Sequence, residues 1–121
     1  MEDRSERRAK LEELVKRAPS LAPAWNDLAV LRQDSQDRMT AVEAGLAARP
    51  DAETRGLLLL HKADLLVNLG ETSEADSIRT FLITDPSSTS QTRAIARYAR
   101  AAMRTHAAGE GTLPSRPRFC S

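Results

Sequence analysis

The sequence predicts an all-α chain of about six helices. Three observations carry this. Apolar residues recur at helical spacing, and no segment alternates with period two over a useful length. Three prolines, Pro19, Pro50 and Pro86, each close a stretch of helical periodicity. Aromatic residues make up only 3% of the chain. Leu, Ala, Ile and Val must therefore fill the core, and abundant alanine favours helices that approach one another closely.

The expected helices, read in order, cover about 3–18, 22–34, 36–48, 52–69, 72–84 and 89–107. The first runs to Pro19 with Leu11 and Val15 one turn apart on one face. The second opens on Pro23, which suits a first helical turn, and sets Trp25, Leu28 and Ala29 together. The third follows a cap at Ser35 and carries Val42 and Leu46 before Pro50. The fourth is capped by Asp51, presents Leu59, Ala63 and Leu66, and stops at Gly70. The fifth starts from Thr72 and carries Ile78 and Leu82 before Pro86. The last follows Ser88 and presents Ile95, Tyr98, Ala99 and Ala102. Residues 1–108 form one helical domain in this reading. Residues 109–121, with two glycines, two prolines, two serines and two arginines, read as a disordered tail.

Two rulers show an internal repeat. The prolines recur at 31 and 36 residues, and the small residues Ala29, Ala63 and Ala96 at 34 and 33. Such a recurrence marks stacked supersecondary units. The stretch 62–86, KADLLVNLGETSEADSIRTFLITDP, carries a small residue in one helix (Ala63), a following Leu66, the turn glycine Gly70, a small residue in the next helix (Ala75) and a closing Asp85-Pro86. An earlier unit matches it through Trp25, Leu28, Ala29 and Arg49-Pro50-Asp51. This pattern resembles the tetratricopeptide (TPR) repeat family over roughly residues 8–107, and the resemblance implies an array of antiparallel helix hairpins. Lys62 stands where the family usually has Leu, and the turn near Ser35 lacks a glycine. The resemblance implies that the first helix would be half of a truncated repeat and the last a capping helix.

The resemblance further implies that the first helix of each pair lines a concave groove. The residues it points inward are Asn26, Val30 and Gln33, then Leu60, Asp64 and Val67, then Arg93, Arg97 and Arg100. Independently of any family, Arg93, Arg97, Arg100 and Arg104 stand at spacings of 4, 3 and 4, which makes one basic stripe on one helix face. Guanidinium forks suit carboxylate or phosphate oxygens. These residues form the expected partner-binding set: Asn26, Val30, Leu60, Asp64, Val67, Arg93, Arg97, Arg100 and Arg104. The carboxylate clamp of the chaperone-binding members of the family is not matched, since Val30 and Ser90 stand where it expects Asn or Lys. The run Leu57–Leu60 sweeps more than one helical turn, so some of it must face solvent or an interface.

Charge supports an acidic partner. Residues 1–85 carry 12 basic and 16 acidic side chains, net −4, while residues 86–121 carry 6 and 1, net +5. The single cysteine, Cys120, cannot form an internal disulfide, the N-terminus has no secretory pattern, and no run is apolar enough to span a membrane. The chain reads as soluble and cytoplasmic. His61 and Asp64 lie three apart on one helix with no nucleophile in sequence reach, and His61, His106 and Cys120 lack the spacing of a zinc site. No phosphate loop or catalytic motif is present. The expectation is a non-enzymatic adaptor without cofactor that holds an acidic or extended peptide. The alternatives are a nucleic-acid-binding accessory protein, using the last helix with Arg116 and Arg118, or a structural subunit of a homo- or hetero-oligomer.

Overall fold

The computed structural model describes residues 3–107. They form six helices: α1 (Arg4–Arg17), α2 (Ala22–Leu31), α3 (Ser35–Ala47), α4 (Ala52–Asn68), α5 (Thr72–Thr84) and α6 (Ser90–Ala107). The expected tail 109–121 lies outside the described residues.

Local chemistry sets the helix ends. Asp3, Asp34 and Asp51 each accept a backbone N–H bond from the residue three positions on, at 2.8, 3.1 and 2.8 Å. These bonds satisfy amides that have no partner inside a helix. The cap of α3 is therefore Asp34, and Ser35 is the first helical residue. Thr89, rather than Ser88, supplies the cap bond of α6, accepting from the Thr92 amide at 3.1 Å. Glu71, rather than Thr72, precedes α5 and makes no side-chain cap. Gly70 adopts φ +84°, with its amide donating to Val67 and that of Glu71 to Leu66. This paired pattern ends α4 and needs a left-handed residue, for which glycine carries no steric cost. Arg49 takes the same conformation after α3 with φ 54°, although it has a Cβ.

Each helix packs on its neighbours in sequence, while α2 packs also on α4, and α4 on α6. The result is two layers: α2, α4 and α6 touch in turn to form one, and α1, α3 and α5 each pack on that layer rather than on one another. Ala29, Ala63 and Ala96, the three alanines spaced by 34 and 33, are all fully buried. The prolines keep a different spacing because α4 begins a full turn earlier, relative to its buried alanine, than α2 does. The core is divided along the array. Val15, Ala24 and Leu28 join α1 to α2. Ala29, Ala41, Val42, Leu58 and Leu65 join α2, α3 and α4. Ala63, Leu66 and Ala75 join α4 to α5, and Leu60, Leu82 and Ala96 bring in α6. Trp25 bridges the first two clusters, and its indole N–H donates to the Pro19 carbonyl at 2.9 Å.

Two glycines permit close crossings. A Cβ on Gly45 would stand 3.0 Å from both Leu58 methyls, and one on Gly56 would stand 2.8 Å from the Thr92 hydroxyl. Ion pairs cross between helices at Arg32–Glu12, Lys62–Glu43 and Arg55–Asp85, at 3.2, 2.9 and 2.8 Å. Hydrogen bonds from the Ser87 amide and hydroxyl hold the Asp85 carboxyl below the usual carboxylate range, and Arg55 and Arg93 act in the same direction.

Candidate functional site

The inner layer encloses an open groove of about 710 Å³. Asn26 and Val30 come from α2, Leu57, Leu60, His61, Asp64, Val67 and Asn68 from α4, and Ile95, Tyr98, Ala99 and Ala102 from α6. Arg79 reaches in from α5. Five of the expected binding residues, Asn26, Val30, Leu60, Asp64 and Val67, are thus brought together on one surface. On α2 and α4 the shared positions fall three before and one after the buried alanine, which is why a common spacing finds them.

The arginines expected to complete this groove lie elsewhere. Arg93 bends back over the end of α5, where Nε donates to the Ile83 carbonyl at 3.1 Å and Nη2 to the carbonyls of Asp85 and Ser88 at 3.0 and 3.3 Å. The Ile83 carbonyl is one that α5 cannot pair for itself, and the cation stands at the negative end of that helix. Arg97, Arg100 and Arg104 surround a separate small cleft together with Ile83 and Ala101. The cause is the roll of α6. Ile95, Tyr98, Ala99 and Ala102, expected as its packing side, instead form a groove wall, so α6 shows the groove the side of its buried alanine opposite to the one α4 shows. Ile95 alone of these also packs against the Leu60–Leu82–Ala96 cluster. An amphipathic helix that packs on α4 and α5 turns its apolar stripe inward and its charges away.

The floor of the groove holds a buried cation. Arg79 is only 5% exposed, and its Nη2 lies 3.0 Å from the carboxylate of Asp64, which is open to solvent on its other side. Pairing of this kind is what permits a guanidinium to be buried. His61 lies beside the pair. Burial pulls its imidazole below the ordinary histidine value, the charge of Arg38 pulls the same way, and Asp64 opposes both. The walls are apolar, and two of their side chains remain open to solvent: Val30 is 51% and Leu57 39% exposed. The run Leu57–Leu60 divides accordingly. Leu58 and Leu60 are buried, Leu59 is half-buried, and Leu57 faces the groove.

Sequence reasoning missed Leu57, His61, Asn68 and Arg79 as members of this surface. Leu57, His61 and Asn68 follow from the phase of α4 once Leu60 and Asp64 are placed on it. Arg79 comes from the outer layer, and no periodicity within α5 announces a side chain that reaches through to the other face.

A second hollow, between α1 and the start of α3, is lined by charged groups such as Arg8, Glu12, Lys16, Arg32 and Asp37. Arg32 and Glu12 there are already paired with each other. Among the described residues, no three His, Cys, Asp or Glu side chains cluster as a metal site needs. No helix among them is long and apolar enough to cross a membrane. Compared with family models, curated proteins and solved structures, the chain gives no match.

Proposed function

We propose that this chain is a non-catalytic, TPR-like scaffold that seats an extended segment of a partner protein in the groove between α2, α4 and α6. One observation carries the reading. The apolar wall, with Val30 and Leu57 exposed and Val67, Tyr98, Ala99 and Ala102 half-buried, is interrupted by the amide side chains of Asn26 and Asn68. Apolar side chains left open along a hollow invite cover. A carboxamide offers both a donor and an acceptor, which matches the N–H and C=O of an extended backbone. The recurrence of buried alanines at 34 and 33 residues, in a chain built of consecutive hairpins, supports the family part of the reading.

The likeness to a peptide seat is geometric, and the chemistry agrees with it. The acid in the groove, Asp64, is occupied by Arg79, and the imidazole beside it is held toward its neutral form. Together these groups shape and polarise the floor while the walls supply contact area. The acidic character of the partner does not follow from this groove, because the arginine stripe lies outside it.

Selection of extended peptides from a displayed random library against the immobilised protein tests the reading. The selected peptides are expected to bind at least roughly tenfold more weakly to a Leu57→Glu/Ala102→Glu variant, since charge would then line an apolar wall. Outer-face changes such as Ser77→Glu should leave binding unchanged. Peptides that bind the groove variant as well as the parent protein would refute it.

A further inference from the structure

We propose that the cleft bounded by Arg97, Arg100 and Arg104 is a second binding site, which takes the oxyanion of an acidic peptide side chain on a face separate from the groove. The cleft holds about 200 Å³, with Ile83 of α5 and Ala101 of α6 as its remaining lining. It stands independently of the groove reading, because the two sets of lining residues share no member.

Four features point to an anion. Three guanidinium groups from successive turns of one helix edge the same hollow, and their mutual repulsion is relieved by a negative guest. The Nε of Arg100 is buried without a hydrogen bond. Its ion-pair partner, Asp76 of α5, stands at 3.6 Å, beyond hydrogen-bond reach. Such a donor is unusual in a folded protein. It is closed to solvent and directed at Asp76, so a guest meets the 28% of the Arg100 side chain that stays open rather than Nε itself. Arg97 and Arg104 have no ion pair among the described residues, so two of the three forks are available. The charge of the helix agrees as well, since α6 carries four arginines and no acidic side chain.

The dimensions favour a peptide side chain over a nucleic-acid strand. A strand needs a track of basic groups interleaved with aromatic faces on which bases can stack. Tyr98, the one aromatic residue of α6, is turned into the groove on the other side. A pocket of this size with an apolar floor suits a single carboxylate or phosphoryl group carried on a short stem. Both groups present oxygens that guanidinium forks bind in pairs.

The test uses the full chain at low ionic strength with three fluorescent probes: hexaglutamate, a hexaglutamate with one central phosphoserine, and a hexameric oligothymidylate. Anisotropy gives Kd for each, and the Nε–Hε resonance of Arg100 reports on the cleft directly. Both peptides are expected to bind and to shift that resonance, and the phosphorylated one binds more tightly if the phosphoryl group is the preferred guest. Arg97→Gln/Arg104→Gln, which changes two exposed side chains, should weaken both peptides by roughly tenfold with an unchanged melting temperature. Asp76→Asn should tighten both, because it removes the competing carboxylate. Peptide affinity that ignores both variants, an unmoved Arg100 resonance at saturation, or equal or tighter binding of the oligothymidylate through these arginines would overturn the proposal.

Discussion

Arg93 and Arg97 are one helical turn apart and identical in type, yet the structure gives them different work, and a pair of substitutions separates them. In Arg93→Met the aliphatic stem is kept and the charged fork is lost. The fork makes a bond from Nε to the Ile83 carbonyl and a shared bond from Nη2 to the Asp85 and Ser88 carbonyls. A hydrogen bond from a charged donor contributes about 1.5–3 kcal/mol when well buried. These bonds are half-buried, water can replace part of each, and the two carbonyls served by Nη2 share one donor group. Two effective bonds at a discounted value, with the interaction between a cation and the end of α5, give about 2 kcal/mol. For a domain of this size that lowers the melting temperature by roughly 8–12 °C. Arg97→Met removes an exposed charge and should change stability by no more than about 0.5 kcal/mol. Urea unfolding followed by far-ultraviolet circular dichroism measures both, provided that the denaturant slope is the same in all three proteins. Equal stability of the two variants would refute the assignment of Arg93 as the clasp over the end of α5.

Further outcomes follow from the backbone and the core. Gly45→Ala gains about 1 kcal/mol of helix propensity but drives a methyl against Leu58 and the Trp25 Cβ at 3.0 and 3.1 Å. Leu58 is fully buried and cannot withdraw, so a net loss of about 1 kcal/mol is expected, and a stabilised variant would show that α3 shifts freely. Arg49→Gly should stabilise by about 1 kcal/mol because it relieves a left-handed residue with a side chain, while Gly70→Ala should cost a similar amount for the reverse reason. Thermal melts of the two variants moving in the same direction would contradict these turn geometries. His61 gives a pH dependence whose sign is fixed. Its folded pKa lies below the unfolded value of 6.5, so the unfolded chain binds the proton more readily. That contribution to stability is fully present above pH 6.5 and is lost as pH falls through the folded pKa. His61→Gln should therefore lose less stability than the parent protein between pH 7.5 and pH 5, and an unchanged pH profile would show that His61 is solvated in the native state.

Much of this fold is legible in the sequence because helix ends are local events. Asp51 caps its own amide neighbours, Gly70 supplies a left-handed turn within six residues, and Pro19, Pro50 and Pro86 stand just beyond helices that end at Arg17, Ala47 and Thr84. The alanines at 29, 63 and 96 marked buried positions in advance because close helix approach demands a small side chain at the crossing. From them the groove faces of α2 and α4 could be placed, down to Asn26, Val30, Leu60, Asp64 and Val67. The second helix was expected three residues too long, since Arg32 leaves the helix with extended backbone and points its guanidinium at Glu12 and the Asp37 carbonyl.

Periodicity along α6 determined that it has one basic and one apolar side, and nothing more. Which side meets the groove is a rotation about the helix axis, and that angle is chosen by neighbours distant in sequence: Leu60 and Leu82 against Ala96, and Thr92 against Gly56. The rotation turned Tyr98 and Ala99 inward, sent Arg93 to the end of α5 and gathered the other three arginines on the far face. Arg79 shows the same division, since its helix was readable while its reach through the layer to Asp64 was not. Spacing in a chain specifies the stripes on each helix, because those depend on bonds between near neighbours. The use of each stripe depends on the free energy of packing whole helices together, which exists only once the layers have met.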